Sequence, residues 1–172
     1  MNDNRARVIV SGSSWMGGGF GSIASAMHEL FALATDEIVL TAYTVSIGAR
    51  SFFHELEILL ERGINIRILM NRYDTQPEEV RRRLENLHTR FPMQLQLFSF
   101  VPLREEGDLH AKVMIIDRLY ALVGASNLLQ REFLDNYELA LVLEGSAVAD
   151  IVRAVDLLLG SPQVVQVPIT RA

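Results

Sequence analysis

The stretch DLHAKVMIIDRLYALVGASNLLQREFLDNYE, residues 108–138, decides how the rest of this chain is read. Val113, Met114, Ile115 and Ile116 form a continuous apolar run, the mark of a buried strand, and a strand sends alternate side chains to opposite faces. A strand over residues 110–117 therefore puts His110 and Lys112 on one face, with Ala111 between them pointing the other way. Residues 119–124 predict a second strand, joined to the first by a tight hairpin near Asp117 and Arg118. An imidazole beside a fixed ammonium suits a phosphate group: one attacks or carries a proton while the other neutralises charge.

The pattern His-x-Lys-x4-Asp-x6-Gly-[Ser/Ala]-x-Asn, met by His110, Lys112, Asp117, Gly124, Ala125 and Asn127, resembles the signature motif of the phospholipase D superfamily. So many positions at fixed spacing are a far stronger signal than a lone His-x-Lys. The resemblance is close in the C-terminal half; residues 1–100 share only a rhythm of strands and helices. It implies phosphodiester cleavage through a phosphohistidine, with no metal or other cofactor. Two such motifs face each other in the family, one histidine attacking phosphorus and the other protonating the leaving oxygen.

Only one His-x-Lys of this pattern occurs in the 172 residues, so the resemblance implies a homodimer in which each copy contributes His110. Lys112 and Asn127 are then expected to bind the nonbridging oxygens. Glu138 matches the acid that follows the motif, and is expected to accept a hydrogen bond from His110 Nδ1, leaving Nε2 free to attack. Gly124, Ser126 and Arg104 are further candidate substrate contacts, although a solvated loop is the plainer reading of Arg104. Ala125 stands where many family members have serine, which removes one hydroxyl from the phosphate site. Asp117 falls on the opposite strand face from His110 by parity and reads as a turn-forming residue, not a catalyst.

Outward from the motif, strands are expected at residues 7–10, 37–43, 64–70, 93–98 and 137–143, and helices at 22–34, 52–60 and 147–159, with a further helix, third in chain order, carrying Val80, Leu84 and Leu87 inward and the turn after it ended by Pro92. The second helix should stop at Arg62-Gly63 and the third start near Thr75 and Pro77. Strand and helix alternate at crossover intervals, which predicts one α/β domain over residues 1–172: a mixed, mostly parallel sheet flanked by helices on both faces. Residues 161–172, with two prolines, predict an extended tail. The segment at residues 11–21 holds five glycines but lacks the spacing of a P-loop or dinucleotide fingerprint. It reads as a connecting loop, with Trp15 and Phe20 as a candidate aromatic lip.

Almost half of the residues are hydrophobic (49%) and 22% are charged, an ordinary globular balance. Cysteine is absent, which excludes disulfides and thiolate chemistry. No signal peptide or spanning segment is read in the sequence, so the cytoplasm is the expected location. Net charge is −5, a mild argument against nonspecific nucleic-acid binding. Nucleic acid still leads as the expected substrate, because small single-motif members resemble bacterial endonucleases. Phospholipid hydrolysis or phosphatidyl transfer is the alternative, and a noncatalytic phosphate-binding or nucleic-acid-binding subunit of a larger complex is the third reading. His28, His54 and His88 lack the spacing of a zinc helix, and the arginines at 81–83 read as a solvated helix face.

Overall fold

The computed structural model describes residues 4–15, 17–46, 50–103, 107–124 and 136–169. In chain order the elements are β1 (Arg5–Ser11), β2 (Gly21–Ser22), α1 (Ile23–Leu33), β3 (Glu37–Ala42), α2 (Arg50–Glu61) and β4 (Asn65–Asn71). A 3₁₀ turn (Tyr73–Thr75) leads to α3 (Glu78–Arg90), β5 (Leu95–Phe100), β6 (Lys112–Ile116) and β7 (Tyr120–Gly124). The chain continues through β8 (Glu138–Glu144), α4 (Ser146–Leu159) and β9 (Val164–Gln166).

The strands form one sheet in the order β2-β1-β8-β7-β6-β3-β4-β5-β9. Residue alternation sorts its two faces. Ile38 and Leu40 of β3 join α1, α2 and α3 in the larger core, while Val39 joins Val113, Ile115 and the α4 residues Val148, Val152 and Val155 in a second. Helices thus cover both faces, as the α/β reading expects. Central strands such as β4 and β6 are buried along nearly their whole length, which is why they read as apolar runs instead of alternating ones.

The sheet is mixed, but it is not mostly parallel. The pairs β1–β2, β3–β4 and β4–β5 are parallel. The pairs β1–β8, β3–β6, β5–β9, β6–β7 and β7–β8 are antiparallel. Helical crossovers enforce parallel pairing only in the block β3-β4-β5. After β6, the strands β7 and β8 each pair antiparallel with the one before, and β8 returns beside β1. Within the segment expected to be a tail, Val164–Gln166 form β9, which closes the far edge of the sheet on β5.

Local signals hold at the start of α1 and the end of α2. Ser22 Oγ accepts from Ser25 N at the start of α1. Past α2, Gly63 adopts φ 84°, and the bonds Gly63 N to Leu60 O and Ile64 N to Leu59 O close the helix in a Schellman turn. Thr75 does not cap α3: its hydroxyl donates to Arg72 O, and Pro77 takes the cap position.

The register brings the carboxyl ends of β1, β3, β4, β5 and β7 and the starts of β6 and β8 to one edge of the sheet. Ligands of open α/β sheets bind outside such carboxyl ends. His110, Lys112 and Glu138 all lie there.

Candidate active site

β6 begins at Lys112, so His110 precedes the strand instead of belonging to it, and its ring is exposed. The expected pairing of the two side chains is nonetheless present. Lys112 Nζ lies 2.7 Å from His110 Nδ1, 3.3 Å from Nε2 and 2.8 Å from the His110 carbonyl oxygen. Lys112 is buried to 4% exposure. Burial pushes its ammonium below the usual lysine range, and the nearby charge of Glu138 partly offsets that.

An ammonium has no lone pair to offer, so the nitrogen facing it must accept. With Nδ1 accepting from Lys112, the proton of a neutral His110 sits on Nε2. The expectation that Glu138 takes the Nδ1 proton describes a different arrangement from the one in this chain. Among the described residues Lys112 is the hydrogen-bond partner of Nδ1.

The start of β6 is fastened to β3 by Thr41, whose buried hydroxyl donates to Ala111 O (2.9 Å) and accepts from Val113 N (3.0 Å). Upstream, Leu109 N donates to Asn71 Oδ1 at 3.0 Å. Arg72 Nε donates to Asp108 at 2.7 Å, and this bond holds the Asp108 carboxyl below its usual range. Arg72 itself sits at φ 43°, ψ 68°, a left-handed conformation that costs a non-glycine residue energy.

On the other side, Lys112 pairs with Gly124 of β7, and Gly124 with Ala140 of β8. A Cβ on Gly124 would stand 2.7 Å from the Ala140 Cβ, so β7 and β8 approach closely only because the motif glycine carries no side chain. Glu138 is two residues before Ala140 on the same strand face, opposite Ser11 of β1. The glycine-containing loop after β1 is tied to this corner. Ser11 Oγ donates to Asn136 O (2.9 Å), Ser14 Oγ lies 2.6 Å from Tyr137 Oη, and the Trp15 ring meets the Tyr137 ring edge-on at 5.4 Å. Trp15 therefore packs on the start of β8, and with the serines it anchors the chain just before Glu138.

Asp117 lies at the other end of β6. It and Arg118 both take positive φ (51° and 59°) in the hairpin turn closed by Leu119 N to Ile116 O. Its carboxylate accepts from Thr35 N, Thr35 Oγ1, Asp36 N and Glu37 N, all at 2.8–2.9 Å. Partial burial raises its pKa, but the hydrogen bonds from Glu37, Thr35 and Asp36 outweigh that and hold it below the usual range. The motif aspartate ties the hairpin to the start of β3, remote from His110.

Arg104, Ala125, Ser126 and Asn127 fall outside the described residues. His88 and His28 have other work: His88 Nδ1 meets Leu95 O at 2.7 Å, and His28 pairs with Glu55 at 3.3 Å. Among the described residues no group of three or more His, Asp or Glu side chains is disposed to hold a metal ion. Nor, among them, is any helix long and apolar enough to cross a membrane.

One residue that sequence reading passed over is brought to the site by topology. The Tyr43 ring lies 4.9 Å from the His110 ring, and Lys112 Nζ stands 5.9 Å from the Tyr43 ring centre. Its signal in the sequence is faint but real: a polar-tipped aromatic just past the carboxyl end of a buried strand.

Fold and site together define an α/β protein that gathers a His-x-Lys pair at the carboxyl edge of a mixed sheet. A family model described as cardiolipin synthase, PLD-like domain, matches residues 27–155, and the chain belongs to the phospholipase D superfamily. No curated protein matches the sequence. Among solved structures, Nuc from Salmonella typhimurium, a phospholipase D family member, is similar at a TM-score of 0.72 and 14% identity. That likeness covers 96% of this chain and 99% of that one. NucT from Helicobacter pylori is similar at 0.74 and 15%, covering 96% and 100%. Phosphatidylserine synthase from Haemophilus influenzae is similar at 0.74 and 16%, covering 97% of this chain but 41% of the synthase. At these identities the likeness is one of fold.

Proposed function

We propose that this chain is a metal-independent phosphodiesterase, a nuclease cleaving DNA or RNA through a covalent phosphohistidine at a site shared by two copies of the chain. The observation that carries this reading is the contact between exposed His110 and buried Lys112 at the carboxyl edge of the sheet. His110 Nε2 attacks phosphorus while the bond from phosphorus to the leaving oxygen breaks, and His110 of the second copy gives that oxygen a proton. Water then attacks the phosphohistidine, the second histidine takes the water's proton, and the phosphorus–nitrogen bond breaks. Lys112 and Asn127 hold the nonbridging oxygens. Gly124, Ser126 and Arg104 complete the substrate contacts.

The resting geometry adds one requirement. Nδ1 must carry the proton when Nε2 attacks, yet Lys112 occupies Nδ1 in the free chain. A bound phosphate draws the Lys112 ammonium to its oxygens and releases Nδ1, which can then donate to Glu138. Substrate binding thereby sets the attacking tautomer.

The homodimer rests on the single His-x-Lys motif, and the end-to-end likeness to Nuc and NucT favours the nuclease reading over a two-motif lipid enzyme. The lipid reading has its own support in the description of the family model and in the likeness to phosphatidylserine synthase. Incubating the protein with single- and double-stranded DNA and RNA in excess EDTA decides between them. Cleavage there that His110→Ala abolishes supports the nuclease. Head-group release from phospholipid vesicles with intact nucleic acid moves the assignment to a lipid hydrolase or phosphatidyltransferase. Binding of oligonucleotide without turnover of any substrate makes it a noncatalytic subunit. Sedimentation of a fully active monomer overturns the shared site.

A further inference from the structure

We propose that Tyr43 is a positioning residue of this site: its ring sets where the His110 imidazole and the Lys112 ammonium stand relative to one another. The inference rests on the phosphodiesterase reading for its kinetic consequence, but not for its geometry. The ring-centre separation of 4.9 Å at a 52° tilt is an ordinary aromatic contact, and the Lys112 distance of 5.9 Å is within cation–π range. One ring therefore packs on the imidazole and lies within cation–π range of the ammonium. His110 precedes its strand and is exposed, so backbone pairing does not fix its side-chain torsions. Among the described residues Tyr43 is the aromatic ring packed against it.

Tyr43 is itself held from below. The buried Gln76 side chain donates through Nε2 to Tyr43 O (3.0 Å) and Asn71 O (2.8 Å), and accepts from Val45 N through Oε1 (3.2 Å). Asn71, also buried, accepts from Leu109 N, the residue before His110. Two buried amides thus connect the segment carrying Tyr43, the end of β4 and the segment carrying His110. Ring and imidazole are referred to one frame, which is what an attacking nitrogen needs: a displacement of about 1 Å can cost about 100-fold in rate. The same ring stands on one side of the buried Lys112 ammonium, 5.9 Å from ring centre to Nζ.

The test compares Tyr43→Phe, which keeps the ring, with Tyr43→Ala, which removes it. On bis(p-nitrophenyl) phosphate and on an oligonucleotide, Tyr43→Ala is expected to lower kcat about 100-fold with KM within about threefold, while Tyr43→Phe stays within about threefold of wild type. Equal activity of Tyr43→Ala and wild type overturns the proposal. So does a Phe variant as damaged as the Ala variant, because the hydroxyl, not the ring, would then be acting.

A second measurement needs no turnover: titration of Lys112 Nζ by NMR. The groups facing Lys112 are His110 from its own segment, Tyr43 beyond β3 and Glu138 on β8. Opening the ring side to water in Tyr43→Ala should move the titration up toward the ordinary lysine range, and Tyr43→Phe should leave it in place. A wild-type protein inert on every substrate would end the phosphodiesterase reading alone. The Lys112 titration would still decide the positioning role, and an unmoved value in Tyr43→Ala would refute it.

Discussion

The two ends of β6 carry residues of one sequence motif and are built on opposite principles. At its start, His110 is exposed and, among the described residues, its ring nitrogen Nδ1 meets the Lys112 ammonium alone. Just past its finish, Asp117 has its carboxylate saturated by four donors from the segment that starts β3. A group that must bond a substrate keeps its capacity unspent, whereas a group that fixes register spends all of it. Sequence spacing alone gives the two residues equal standing; hydrogen-bond accounting separates them.

The widest separation should come from removing each in turn. His110→Ala is expected to lower phosphodiester turnover about 10⁴-fold while leaving stability within about 0.5 kcal/mol, since the ring is exposed. Asp117→Ala should do the reverse: a loss of about 2–3 kcal/mol in urea unfolding, as four donors lose their acceptor, with activity retained in the folded fraction. An Asp117 variant that is fully stable but inactive would erase the distinction between the two ends.

The same carboxylate gives a pH signature. Its folded pKa is depressed, so its stabilisation is complete above the ordinary aspartate value and is lost as pH falls through the lower folded value. Asp117→Asn should flatten that acid limb of the stability curve. Denaturation midpoints followed from about pH 5 to pH 2 would show it.

How far the sequence revealed this arrangement depended on distance along the chain. The buried strands, the four helices and the Gly63 stop follow from local pattern, because apolar period and backbone chirality are local properties. The pairing of His110 with Lys112 was legible for the same reason, the two being separated by one residue. Strand direction was less so: alternation of helix and strand describes β3-β4-β5 correctly but carries no information about β8 returning to β1, or about β9 pairing with β5. Tyr43 follows β3 while Asn71 and Gln76 lie at and after the end of β4, so they converge on the site through two separate crossovers, and no spacing rule joins them. Asp117 was legible as a turn residue from its chemistry, while its four donors lie some eighty positions upstream.

Between the two ends the comparison can be sharpened at the strand next door. Gly124 belongs to the motif, and its lack of a side chain has a packing reason, the 2.7 Å approach of Ala140. Gly124→Ala should destabilise by about 1–3 kcal/mol, the usual cost of overpacking, and Ala140→Gly should recover much of that in the double variant. A double-mutant cycle measures the coupling directly. Absence of coupling would mean that β7 and β8 adjust freely, and would return Gly124 to a role at the phosphate alone.

The prediction that tests the opening contrast most closely belongs to Lys112. A buried ammonium kept for chemistry should cost stability, unlike a carboxylate kept for structure. Because burial depresses its folded pKa, the folded chain gives up this proton more readily than the unfolded chain. Stability therefore rises as pH climbs from the folded value toward the ordinary lysine value. Lys112→Met removes the charge and keeps the length. It should be inactive, yet at neutral pH at least as stable as wild type, by up to about 1 kcal/mol, and should lack the alkaline rise. If Lys112→Met instead unfolds the protein as Asp117→Ala does, the ammonium is part of the scaffold, and the start of β6 is held together by the same logic as its finish.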